Sequence, residues 1–151
     1  MNKLSRRKSR IIAFQAIYSW DLNKESIDDI LSFSWLQKDS ELKDGTLKEF
    51  TESEKEEQTF ASFIITGTID HIAEIDELIK SHLSSSWCIE RVNKVTLAIL
   101  RTGIYEMIFQ AGSESKIVID EAIGIAKDYG PEDSFKFVNA VLDKINKDAK
   151  S

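Results

Sequence analysis

One cysteine, Cys88, among 151 residues excludes an internal disulfide and points to a reducing compartment. One proline, Pro131, leaves most of the chain without a helix breaker, and six scattered glycines form no phosphate-binding loop. The two histidines, His71 and His82, have no cysteine or second histidine at ligand spacing, so no metal site is expected. No apolar run approaches the roughly 20 residues that cross a bilayer. The N-terminus is basic but lacks the apolar stretch and cleavage site of a signal peptide. A cytoplasmic protein without a membrane segment is the simplest expectation. No nucleophile, acid–base pair or cofactor cradle stands out, so no catalytic residue and no cofactor is assigned, and no enzyme is expected.

What the chain does have is charge, unevenly placed. Its net charge is −6, yet Lys3, Arg6, Arg7, Lys8 and Arg10 put five positive and no negative groups into the first ten residues. All 26 acids lie after them. A basic arm on an acidic body suits a localised anionic partner; a solubilising tail is the bland alternative. Arg6, Arg7 and Arg10 also oppose the macrodipole of the helix they begin, a local conflict that hints at function.

At 42% hydrophobic and 30% charged the composition is that of a globular domain. Good helix formers dominate and no stretch alternates with period two, so an all-α fold is predicted. The first helix spans about Ser5 to Asp21, with Leu4, Ile11, Phe14, Tyr18 and Leu22 on its apolar stripe and Ile17 widening it. Ser26 caps a short helix running to about Trp35. Residues 37–58 are polar and acidic and read as an exposed connection. A capping box at Ser53 and Glu56 opens one long helix to about Leu83, in which Gly67 permits close approach by a neighbour. A helix over about 92–110 is apolar nearly all round and therefore central. Another covers 117–129, and Gly130-Pro131 stops it and starts the last, with Phe135, Val138, Val141, Leu142 and Ile145 facing inward. Glu90, Glu106 and Glu121 are expected to pair with Arg91, Lys94 or Arg101.

Three stretches are specific: RRKSRIIAFQAIYSW (6–20), ILRTGIYEM (99–107) and IDEAIGIAKDYGPEDSFKFVNAVLDKI (119–145). In order, spacing and length the chain resembles the NusB family of bacterial transcription antitermination factors; the stretch 23–60 departs from the pattern. The resemblance implies two small helical subdomains packed side by side into one domain, about 1–84 and 85–151. It implies binding to single-stranded boxA RNA of ribosomal RNA transcripts together with a small-subunit ribosomal protein, NusE. It also implies a place in an RNA polymerase antitermination complex. Self-association into a homodimer is left open. Two other readings are the RNA-binding fragment of a ribosomal RNA cytosine methyltransferase and a helical protein-interaction adaptor.

The RNA site is expected to include Lys3, Arg6, Arg7, Lys8 and Arg10 for phosphates. Family resemblance adds Gln15, Tyr18, Asp133, Lys136 and Phe137. Arg7, Arg10, Gln15 and Tyr18 share an arc of about 140° at 100° per residue. Arg7 is in phase with Phe14 and Tyr18, so it is expected beyond the edge of the core, where the helix projects or frays. Tyr18 and Phe137 each have a core reading beside the RNA reading. Asp133 is either an acceptor for base amino groups or a helix N-terminal acid. Replacing Arg6, Arg7 and Arg10 with alanine is expected to weaken RNA binding and flatten its salt dependence with little effect on melting temperature. For the protein partner the resemblance points to Thr96, Arg101, Tyr105 and Glu106; Thr96 stands where relatives carry an acid, and an internal ion pair explains Arg101 and Glu106 equally well.

Overall fold

The computed structural model describes residues 2–37, 45 and 48–150, and among them every regular element is helical. Of the connection expected over 37–58, residues 38–44, 46 and 47 lie outside the described residues, and the part from Glu52 onward is helix rather than connection. Helix α1 (Lys3–Asn23) is capped by Asn2, whose side chain accepts from the Ser5 N–H at 2.9 Å. It buries Ala13, Phe14, Ala16 and Ile17 and continues unbroken through the basic residues. The expected projection or fraying at Arg7 is therefore absent.

Ser26 caps α2 (Ile27–Leu31) as its spacing from Asp29 predicts. The helix stops short of Trp35. The Ser32 hydroxyl donates to the Asp29 carbonyl, a competing local bond, and Phe33 turns left-handed at φ 56° ahead of a 3-10 turn, Ser34–Leu36.

Helix α3 (Glu52–Asp70) opens with a capping box at Thr51 and Glu54, not at Ser53 and Glu56. The earlier pair satisfies both orphan N–H groups and sets Glu52 and Glu54 in the favourable first turn. The single long helix of the sequence is two. α3 ends at His71, and α4 (Ile72–Ser81) follows it with Ile75 and Ile79 buried. No glycine or proline marks the break. The His71 ring stacks on Phe109 at 4.3 Å between centroids and 17° between planes, a contact from 38 residues away in sequence.

A 3-10 turn (Ile89–Arg91) leads into α5 (Lys94–Ile104), whose cap Asn93 accepts from the Val95 and Thr96 N–H groups. Every residue from Thr96 to Ile104 is buried, as the all-round apolar pattern predicts. α5 runs into one π-helical turn, Tyr105–Phe109, in which the Gln110 N–H reaches back five residues to the Tyr105 carbonyl at 3.1 Å. Gly67 lies beneath this turn: a Cβ there would fall 2.0 Å from the Tyr105 ring, so only glycine admits it.

Helices α6 (Ser115–Tyr129) and α7 (Ser134–Lys150) form an antiparallel pair on α5. Gly130 caps α6 through its N–H to the Ala126 carbonyl. Pro131 lies in the turn rather than in the first turn of α7, because Asp133 adopts φ 66° and delays the helix to Ser134. Val138, Val141, Leu142 and Ile145 are buried as predicted. α1 packs along both α3 and α5, and one hydrophobic cluster joins all seven helices. No helix among the described residues is long and apolar enough to cross a membrane.

Candidate nucleic-acid interface

The basic residues of α1 divide into two kinds. Arg7 and Arg10 turn inward. Arg10 donates from Nε and Nη2 to the two oxygens of Glu106 at 2.9 and 2.7 Å, and the Ser113 hydroxyl donates to the same carboxylate at 3.1 Å. Glu106 is 2% exposed. Burial acts to lower the Arg10 pKa, but the hydrogen bond to Glu106 and the charges of Glu106 and Glu121 outweigh it and hold the guanidinium above its ordinary value. Arg7 donates from Nη1 to Glu121 at 3.0 Å and from Nη2 to Asp128 at 2.9 Å. The helical phase of Arg7 is as read from the sequence, but Glu121 and Asp128 of α6 reach that side of α1 and take the side chain.

Two expectations change with these contacts. Glu106 and Glu121 pair with Arg10 and Arg7, not with Arg91, Lys94 or Arg101. The triple alanine variant is no longer neutral to stability, since it strips the partners from two buried carboxylates.

Lys3, Arg6 and Lys8 are the outward kind; none has a carboxylate within salt-bridge distance among the described residues. The Arg6 guanidinium lies 4.0 Å from the centroid of the Phe60 ring on α3, which fixes it while leaving its donors for a ligand. Lys3, Arg6 and Arg10 form one wall of an open groove of about 560 Å³; Glu114, Asp120 and Glu121 stand on the other. Lys8 is exposed toward the Glu54 end of α3.

The remaining expected RNA residues are less concentrated. Gln15 is half-buried and lines a cavity of about 70 Å³ with Ser19, Glu25 and Trp35, away from the groove residues. Tyr18 is half-buried against the core. Asp133 and Lys136 are exposed and face each other at 3.6 Å. Phe137 is half-buried, its ring 6.0 Å from that of Trp87, which is 52% exposed. The α6–α7 turn that carries Asp133 follows directly on Asp128 and Tyr129, which touch Arg7 and Phe14 of α1. The basic helix and the turn are thus neighbours.

The residues considered for a protein partner are largely covered. Thr96 and Arg101 are buried, Glu106 is held by Arg10, and Tyr105 is half-buried over Gly67. Arg101 donates from Nε and Nη2 to Asp76, both at 2.9 Å, and its Nη1 faces Asp21 at 3.3 Å, so it joins α1, α4 and α5. Arg101 and Glu106 do not pair with each other.

Phe60, Trp87 and Asp128 belong to this region and are not singled out in the sequence, and Glu121 is singled out only as a partner for other basic residues. Trp87 carried a signal: a tryptophan in the polar run SSSWC has no helical stripe to join. The other three acquire their roles only through contacts far apart in the chain. Among the described residues no cluster of three or more His, Cys, Asp or Glu side chains is placed to hold a metal ion.

The model of the NusB family matches residues 7–147. The transcription antitermination protein NusB of Treponema denticola is 46% identical over 144 residues, covering 94% of this chain and 96% of that protein. The NusB of Borreliella burgdorferi is 42% identical over 144 residues, covering 94% of each. Among solved structures, antitermination factors NusB and NusE in complex with dsRNA superpose with TM-score 0.76 at 30% identity, over 97% of this chain and 99% of that one. T. maritima NusB superposes with TM-score 0.75 at 31% identity, over 94% and 90%. Sequence likeness over nearly the whole length and agreement of fold lead to one conclusion: the chain belongs to the NusB family.

Proposed function

We propose that this chain is a non-enzymatic transcription antitermination factor that binds RNA together with the ribosomal protein NusE and acts in the cytoplasm. The observation that carries the reading is the full-length likeness to the NusB of the NusB–NusE–dsRNA structure. The outward cations Lys3, Arg6 and Lys8 on α1 support it, because they offer phosphate neutralisation on an acidic body. The RNA surface runs from these cations to Asp133, Lys136 and Phe137 beside the α6–α7 turn. Gln15 and Tyr18 flank it, Arg7 lies at its edge, and Arg10 holds α1 in place beneath it. The RNA is boxA-like and single-stranded where its bases are read, and the assembled complex joins RNA polymerase. The protein-partner surface includes the half-buried Tyr105 and the exposed start of α5 beside Thr96, rather than the enclosed charges of Arg101 and Glu106. The chain folds as two helical subdomains, about 1–84 and 85–151.

The test is a titration with a short boxA-like RNA, with and without NusE, against a scrambled strand and a duplex of equal length. Preferential binding to boxA that NusE strengthens is the expected result. Equal binding to all RNAs in both conditions would overturn the antitermination reading and bring forward the helical adaptor.

A further inference from the structure

Asp128 is exposed where Glu106 and Glu121 are buried. Glu121, Gly124 and Asp128 fall on one stripe of α6, at steps of three and four residues. The Arg7 guanidinium lies across this stripe over Gly124: a Cβ at position 124 would come within 2.8 Å of Nη1 and 3.1 Å of Nη2. Its two nitrogens then meet different surroundings. Nη1 is bound to Glu121, whose side chain is 7% exposed, and Nη2 to Asp128, whose side chain is 61% exposed. The inner bond is enclosed by protein. The outer one is open to solvent and to any competing anion.

We propose that Asp128 sets how tightly this chain holds RNA, by occupying the outward nitrogen of Arg7 in place of a phosphate. The inference rests on the RNA-binding reading above. A phosphate oxygen and a carboxylate oxygen make the same charge-assisted bond to a guanidinium. An RNA backbone crossing α1 displaces Asp128 from Nη2 while Glu121 keeps Nη1, so Arg7 changes partner without leaving its seat on Gly124. Arg10 has no such freedom, since both Glu106 oxygens and Ser113 hold it in a nearly closed site. With Glu121 and Asp128 both charged the Arg7 cradle is net negative, so it opposes RNA until Asp128 is displaced.

The experiment is RNA affinity across a salt series for Asp128→Asn, with the boxA-like strand as probe. Asparagine keeps the shape and removes the charge, and the position is exposed enough for the fold to tolerate it. The expected result is a gain of about two- to fivefold at low salt that narrows as salt rises. Glu77→Gln on α4, also exposed, makes the same change in net charge on an element without contact to Arg7, and is expected to leave affinity nearly unchanged. In an Arg7→Lys background, which keeps a cation for Glu121, the gain from Asp128→Asn is expected to shrink. Wild-type affinity in Asp128→Asn would overturn the proposal, as would a gain matched by Glu77→Gln. Weaker binding would overturn it too, making Asp128 an RNA contact in its own right. Failure of the wild-type chain to bind RNA is a different result and overturns the functional reading itself.

Discussion

Replacing Arg10 with alanine removes the bidentate partner of a carboxylate that is 2% exposed. Glu106 then retains only the Ser113 hydroxyl at 3.1 Å, one hydrogen bond for a full negative charge. Breaking a buried ion pair by deleting one member costs about 3–5 kcal/mol. For a domain of this size each kcal/mol shifts the melting temperature by about 2–4 °C, so a fall of about 6–20 °C is expected in thermal unfolding followed by circular dichroism. Arg6→Ala is the matched control: it removes a stack on Phe60 and no carboxylate contact, and it is expected to cost only about 0.5–1 kcal/mol. A double variant, Arg10→Met with Glu106→Leu, separates loss of the pair from loss of packing; it is expected to recover most of the stability, because neither charge is left stranded. A fall of less than about 3 °C in Arg10→Ala, on the same scale, would refute the reasoning and show that water reaches Glu106 once Arg10 is gone.

Three further outcomes follow from particular contacts. Gly67→Ala drives a methyl group into the Tyr105 ring, which is confined by His71 and Phe109; overpacking of about 1–3 kcal/mol is expected in urea unfolding, and an unchanged midpoint would mean that Tyr105 swings out freely. The Thr51 backbone N–H, and then its side chain, hold the Glu54 carboxyl below its usual range; the stability this adds is present above the unfolded carboxylate pKa and is lost as pH falls through the folded one. Glu54→Gln is therefore expected to lower the melting temperature more at about pH 6 than at about pH 3, and a gap independent of pH would count against the charge. Phe137→Ala is expected to weaken RNA binding by about 1–3 kcal/mol; a stability loss of about 3–5 kcal/mol with RNA binding otherwise intact would make it a core residue.

Local signals in the sequence carried most of the fold. The stripe of Phe14 and Ile17, the all-round apolar run of α5 and the caps at Ser26 and Gly130 each depend on residues within two turns of one another. The break at His71 coincides instead with the stacking of its ring on Phe109, a contact that nothing near position 71 announces. The same limit governed the basic arm. Its charges were plain to read, but whether an arginine faces a ligand or its own protein is decided by acids 96, 114 and 121 residues away. The phase of Arg7 on its helix was correctly placed; the presence of α6 on that side was not visible in it. Arg101 shows the converse: its internal pairing was foreseen, but Asp76 and Asp21 took the role expected of Glu106.

The wide turn at Tyr105–Phe109 ties chain length to direction. It holds one residue more than an ordinary helical turn. Deleting a residue there would let α5 continue as a regular helix with its backbone ladder intact, so a local measure of helicity would register little. Everything beyond the deletion would swing by about 100° about the helix axis, and Ser113 and the start of α6 would no longer meet Glu106 and α1. A one-residue length change in the exposed turn at 111–112 has slack to absorb it. At the wide turn, the number of residues matters as much as their identity, because it aims the second half of the molecule at the first.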